Sequence, residues 1–134
     1  MWASRLWWML RWLGHTNVSV LDGGFAAWRA AGMPTTSGVE TRSARVFTGA
    51  PDQAMRVTVD DVRQHLADRS MVIVDARAPE RYRGEVEPID PVAGHIPGAV
   101  SRFFQLNLEG GRFKAPAALA AEWSALLNGQ PPSS

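Results

Sequence analysis

Apolar and polar positions along this chain fall into two patterned blocks with an unpatterned stretch between them. Trp2, Leu6, Met9, Leu10 and Leu13 recur at helical spacing, which predicts a helix over residues 3–13 that stops at Gly14. Val18-Ser19-Val20-Leu21 predicts a short strand, with Asp22-Gly23-Gly24 as its turn. Phe25 to Ala31 predicts a second helix, closed by Gly32-Met33-Pro34. The second block opens at Thr58-Val59-Asp60-Asp61, a capping-box-like start for a helix running to about Ala67. Met71-Val72-Ile73-Val74 is a four-residue apolar run ending on Asp75 and predicts a buried strand. Ala99 to Phe103 predicts another strand. Pro116 to Leu127 predicts a final helix with Leu119, Trp123, Leu126 and Leu127 along one stripe. The tail, Asn128 to Ser134, is expected to be disordered.

This alternation of helices and strands predicts an α/β fold with a parallel sheet flanked by helices. Between the blocks, Pro34, Gly38, Gly49 and Pro51 lie in a sequence with no sustained period. Such a length is unusual inside a compact domain, so residues 35–56 read as an interdomain linker.

Composition narrows the function classes. The 134 residues match one ordinary domain in length, and a 46% hydrophobic share argues against general disorder. With 14 basic and 13 acidic side chains, the chain has no electrostatic footprint for nucleic acid or an anionic membrane. The three histidines show no metal-ligand spacing, so neither metal nor cofactor is expected. There are no cysteines, which excludes disulfides, thiolate metal sites and any thiol mechanism carried by these residues alone.

Four of the six tryptophans lie in the first twelve residues. Arg5 and Arg11 interrupt the apolar run, and no cleavage pattern follows, which argues against a signal peptide. A helix lying on a membrane surface is the fairer rival, but the single apolar face reads more simply as a helix packed on a sheet. The expected location is cytoplasmic.

Candidate chemistry concentrates around Asp75. Open α/β sheets place ligands at the carboxyl ends of their strands, and Arg77, Arg81 and Arg83 follow Asp75 closely. The stretch from Asp75 through Gly94-His95-Ile96-Pro97-Gly98-Ala99 resembles the opening of the catalytic domain of tandem rhodaneses, the thiosulfate and 3-mercaptopyruvate sulfurtransferases. Glu87-Pro88, Asn107-Leu108 and Gly111-Arg112-Phe113-Lys114 extend that resemblance. Upstream, Arg5-Leu6-Trp7-Trp8-Met9-Leu10-Arg11 and Val20-Leu21-Asp22-Gly23-Gly24 resemble the closing half of the non-catalytic first domain.

The resemblance implies two incomplete rhodanese-like halves: residues 1–34 from a first domain and 57–134 from a second, ending before the cysteine loop. On that reading the chain is the middle of a protein about twice its length. It implies a sulfane-sulfur transfer through a cysteine persulfide, which a chain without cysteine is expected not to perform alone. Arg81 is the position implied to bind the small anionic donor, against the plain alternative of a surface ion pair. Asp75, Arg77 and His95 read as loop-bracing residues; a catalytic base at Asp75 or His95 is the alternative. Arg83 reads as solvent-facing. Mercaptopyruvate enzymes of the family often carry an arginine after the Glu-Pro, whereas Ile89 and Asp90 follow here, so thiosulfate is the expected donor. A non-catalytic anion-binding or scaffolding domain is the competing function. Incomplete sheet edges are expected to favour self-association.

Overall fold

A computed structural model describes residues 2–68 and 70–129, and they divide into two compact units, Met1–Thr58 and Val59–Ser134. In the first unit, α1 spans Trp2–Trp12. It ends where Gly14 takes a φ of 84°, a left-handed conformation that costs glycine little. His15 N–H then donates to the Leu10 carbonyl at 2.8 Å and Gly14 N–H to that of Arg11 at 2.9 Å. Helix α2, Gly24–Ala30, closes similarly, with Met33 N–H on the Trp28 carbonyl at 3.2 Å.

Two expectations for this unit need correction. Val18 to Leu21 forms no ladder, because the unit's described residues include no strand to pair with it. For the same reason α1 has no sheet to pack on within this unit's described residues, and Leu6 is 57% exposed. The segment read as a linker has no regular element from Met33 to Asp52. Its end nevertheless returns to α1, where Ala50 and Asp52 N–H groups donate to the Leu13 and Trp12 carbonyls at 3.0 and 2.8 Å. Asp52 then caps a 3-10 turn, Gln53–Met55, through the Ala54 N–H.

The second unit begins with α3, Val59–Asp68, whose Asp60 and Asp61 lie at the positive end of its dipole. Strand β1 (Val74–Asp75) runs parallel to β2 (Val100–Ser101) in the register Val74↔Val100 and Asp75↔Ser101. The ladder is shorter than the apolar runs predicted, since β1 has a strand partner on one edge only among the described residues. Backbone bonds prolong it at both ends, from Val100 N–H to the Ile73 carbonyl and from Arg102 N–H to that of Asp75. Between the strands lie a one-turn helix, α4 (Pro79–Tyr82), and the loop to Ala99.

A 3-10 turn, Phe104–Asn107, leads into a hairpin of β3 (Leu108–Glu109) and β4 (Arg112–Phe113). Gly110 and Gly111 form its two-residue loop, both with positive φ, as a right-twisted hairpin prefers. Helix α5, Pro116–Leu126, has proline in its first turn. Asn128 and Gly129 form its C-terminal turn; the rest of the tail expected to be disordered lies outside the described residues.

Counted as whole residues among those described, Ala99 is the only buried apolar one and Arg102, 9% exposed, the only buried charged one. Arg102 donates to Glu122 and Asn107, and its guanidinium lies 5.3 Å from the Trp123 ring centre. Lys114 reaches the other Glu122 oxygen at 2.7 Å, and Trp123 Nε1–H donates to Asn107 at 3.2 Å. This polar cluster ties β2, the 3-10 turn, the residue after β4 and α5 together. The unit is thus an α/β arrangement with a parallel strand pair and flanking helices. No helix among the described residues is long and apolar enough to cross a membrane.

Candidate functional site

The site is a loop folded around two arginines at the carboxyl end of β1. Asp75 turns the chain, its carboxylate accepting from the Arg77 backbone N–H at 2.9 Å. The same carboxylate receives the Arg77 guanidinium at 2.6 and 3.0 Å, forming a fork-like pair. Those Arg77 bonds hold the Asp75 carboxyl below its ordinary pKa, and Asp75 in turn raises that of Arg77. Arg77 also donates to the Gly94 carbonyl at 2.6 Å and to Glu87 at 3.2 Å, pinning the far side of the loop.

Pro79 starts α4, which carries Arg81 and Tyr82. Arg81 grips Glu87 through Nη2 at 2.6 Å and Nε at 3.2 Å, and reaches Asp90 at 3.2 Å. Glu87 is 5% exposed along its side chain and also accepts the Ile89 and Asp90 backbone N–H groups at 3.1 Å. The Arg81 hydrogen bonds, helped by those two N–H groups, outweigh desolvation and hold the Glu87 carboxyl at about 2.

His95 bonds the Tyr82 carbonyl through Nδ1 at 2.7 Å and stacks on the Tyr82 ring at 3.8 Å. The Tyr82 hydroxyl donates to the Ala99 carbonyl at 2.7 Å. This crossing brings Gly84 against Gly94: a Cβ on Gly84, whose φ is +76°, would stand 3.1 Å from the Gly94 nitrogen. Arg83 pairs with Glu85 in solvent, each side chain 54% exposed.

A cleft of about 510 Å³ lies alongside, lined by Asp75, Arg77, Asp90, Gly94, His95 and Ala99 among others. Asp75, Arg77 and His95 therefore converge on it. Arg81 is not part of its wall and reaches it through Asp90. Three carboxylates, Asp75, Glu87 and Asp90, face the two guanidiniums, so an anion adds to a cluster already one charge negative. Among the described residues, no group of three His, Cys, Asp or Glu side chains could hold a metal ion. Sequence reasoning quoted Glu87 as a motif residue but did not place it at the centre of the loop, and it missed Tyr82. An acid just before proline, after a run of arginines, was the available signal for Glu87.

The rhodanese-like domain profile matches residues 58–130. The chain belongs to the rhodanese-like family. It is 47% identical over 131 residues to the probable 3-mercaptopyruvate sulfurtransferase of Pseudomonas aeruginosa, covering 96% of this chain and 46% of that one. The thiosulfate sulfurtransferase of Bos taurus is 36% identical over 127 residues, covering 92% and 43%. Among solved structures, SseA from Escherichia coli, described as having the rhodanese fold and as a 3-mercaptopyruvate sulfotransferase, superposes with a TM-score of 0.77. That match has 31% identity and covers 96% of this chain and 47% of SseA. The chain thus spans under half the length of these relatives.

Proposed function

We propose that this chain carries the donor-anion loop of a thiosulfate sulfurtransferase, with Arg81 as the residue that binds the donor. The supporting observation is the clamping of Arg81: Glu87 holds its guanidinium through two nitrogens at the carboxyl end of the parallel strand pair. Glu87 thereby fixes the orientation of the guanidinium, whose permanent charge is what attracts an oxyanion. In the reaction, a cysteine thiolate attacks the outer sulfur of thiosulfate. A new S–S bond forms, the donor's S–S bond breaks and sulfite leaves. A thiophilic acceptor such as cyanide then takes the sulfane sulfur and restores the thiolate. Arg77, Asp75 and His95 brace the loop that presents Arg81.

The thiolate must come from outside these residues, since the chain has no cysteine. Serine does not replace it, because its alkoxide is far less accessible at neutral pH and a persulfide requires sulfur. Residues 1–34 then represent the end of a first domain, 35–56 a linker, and 57–134 the start of the catalytic one. Relatives of both donor names match, so names do not choose the donor; Asp90, which repels a second carboxylate, favours thiosulfate over mercaptopyruvate. The single ladder edge of β1 among the described residues, with exposed Val72 just before it in sequence, favours self-association.

Purified chain given thiosulfate and cyanide should form thiocyanate only at the buffer-blank rate. Within a full-length sulfurtransferase containing this sequence, Arg81→Ala should slow persulfide formation from thiosulfate, whereas Arg77→Ala should lower stability first. Normal persulfide formation by the Arg81 variant sinks the assignment. The absence of cysteine also favours a second reading, a non-catalytic anion-binding or scaffolding domain. The reading frame around the coding sequence separates the two: an in-frame cysteine loop downstream supports the enzyme.

A further inference from the structure

The two carboxylates on Arg81 are held very differently. Glu87 has both oxygens engaged, by Arg81, by Arg77 and by the Ile89 and Asp90 N–H groups, and its side chain is 5% exposed. Asp90 makes one contact with Arg81 at 3.2 Å, stands 4.0 Å from Arg77 and is 53% exposed. An incoming anion can take Arg81 Nη2 only by displacing one of them, and Asp90 has far less to lose. The Asp90 backbone stays tied to Glu87 through its own N–H, so its carboxylate can leave by side-chain rotation alone. Asp90 also lines the cleft, where Arg81 does not.

We propose that Asp90 is a built-in counter-anion for Arg81: a tethered carboxylate that occupies the donor-anion position in the free chain and yields to the ligand. This rests on the reading of Arg81 as the donor-binding residue. Because Asp90 is tethered, it competes at a high effective concentration. A ligand offering only another singly charged carboxylate gains little by replacing it. A compact dianion such as thiosulfate does gain, through its stronger attraction to Arg81 and Arg77. Asp90 thereby sets a threshold that favours small dianions.

The test is a thiosulfate titration of the full chain at constant ionic strength, followed on the Arg81 Nε–Hε resonance by nitrogen-15 NMR. Asp90→Asn should bind thiosulfate about two- to fivefold more tightly than the unaltered chain, the range an exposed ion pair carries. Acetate should shift the Arg81 resonance in Asp90→Asn and leave it in place in the unaltered chain. Asp90→Glu, which keeps the charge, should restore the weaker binding and guards against a loop disturbance. Equal thiosulfate affinities with and without the Asp90 charge, while the Arg81 resonance still responds, overturn the counter-anion role and leave Arg81 as the donor site. An Arg81 resonance that moves in no variant overturns both.

Discussion

Arg102→Met should destabilise the sheet-bearing unit by about 2–3 kcal/mol, the remainder of the about 3–5 kcal/mol that breaking a buried ion pair costs once solvent screening is allowed for. The discount comes from Glu122, which is 35% exposed along its side chain and keeps Lys114 at 2.7 Å when Arg102 is gone. Methionine preserves the apolar stem against Trp123 but loses the cation over the ring, worth about 0.5–1 kcal/mol within that total. Asn107 retains the Trp123 donor at 3.2 Å, so its carbonyl oxygen is not stranded. Urea unfolding followed by far-ultraviolet circular dichroism measures the loss. At a slope of about 1 kcal/mol per molar, the midpoint should fall by about 2–3 M with the slope unchanged. A loss under about 1 kcal/mol, the level of an exposed pair, would refute the view that this cluster holds β2 and α5 together. So would a double-mutant cycle with Glu122→Gln showing no coupling.

Acid should weaken the same unit. The Glu87 carboxyl sits at about 2 against an ordinary 4.5, and those of Asp75 and Glu122 are also lowered by their arginine and lysine partners. Between those values the unfolded chain binds more protons than the folded one, so this stabilisation is complete above about pH 4.5 and drains as pH falls toward 2. Denaturation midpoints taken between about pH 6 and 2.5 should fall, and Glu87→Gln should flatten that limb; a flat profile in the unaltered chain counts against it. Gly84→Ala should cost about 2 kcal/mol, combining a left-handed φ with the Gly94 contact, and Gly98→Ala only about 1 kcal/mol. The difference arises because Gly98, at φ +81°, has open space where the Cβ would go. Equal losses in thermal unfolding would show that the Gly94 contact is relieved without cost.

Local signals carried much of this fold. The glycine stops after α1 and α2, the acidic first turn of α3 and the proline start of α5 were legible, because each depends on neighbours in sequence. Strands at Met71–Asp75 and Ala99–Phe103 and a parallel sheet were expected, whereas the pairing of Val74 with Val100 was not itself legible. Val18 to Leu21 did not become a strand, since an extended segment needs a partner that no local pattern supplies. The Gly110-Gly111 hairpin went unforeseen although a two-glycine loop is a recognised turn signal. At the site, Arg77 pairs with Asp75 and His95 bonds the Tyr82 carbonyl, contacts that the order of the motifs in sequence does not specify. The central position of Glu87 was hidden because it depends on how the loop from Arg83 to Gly94 folds back on both arginines.

The site and the Arg102 cluster are parts of one construction. The parallel register places Asp75 at the end of β1 and Arg102 just past the end of β2, where the Arg102 N–H donates to the Asp75 carbonyl at 2.9 Å. From that bond the Asp75 side chain turns toward Arg77, and the Arg102 side chain turns toward Glu122 and α5. Two polar clusters therefore spread in different directions from the carboxyl end of the sheet, where a larger parallel sheet would be flanked by apolar layers. With Ala99 as the only buried apolar residue described, these clusters carry an unusual share of the unit's order. The loop that fixes Arg81 is thus built into the scaffold, because Glu87 and Arg77 tie it back to β1. Within it, Asp90 is the carboxylate that can move without unfastening the rest, since its side chain makes the weakest contact while its backbone stays bonded to Glu87.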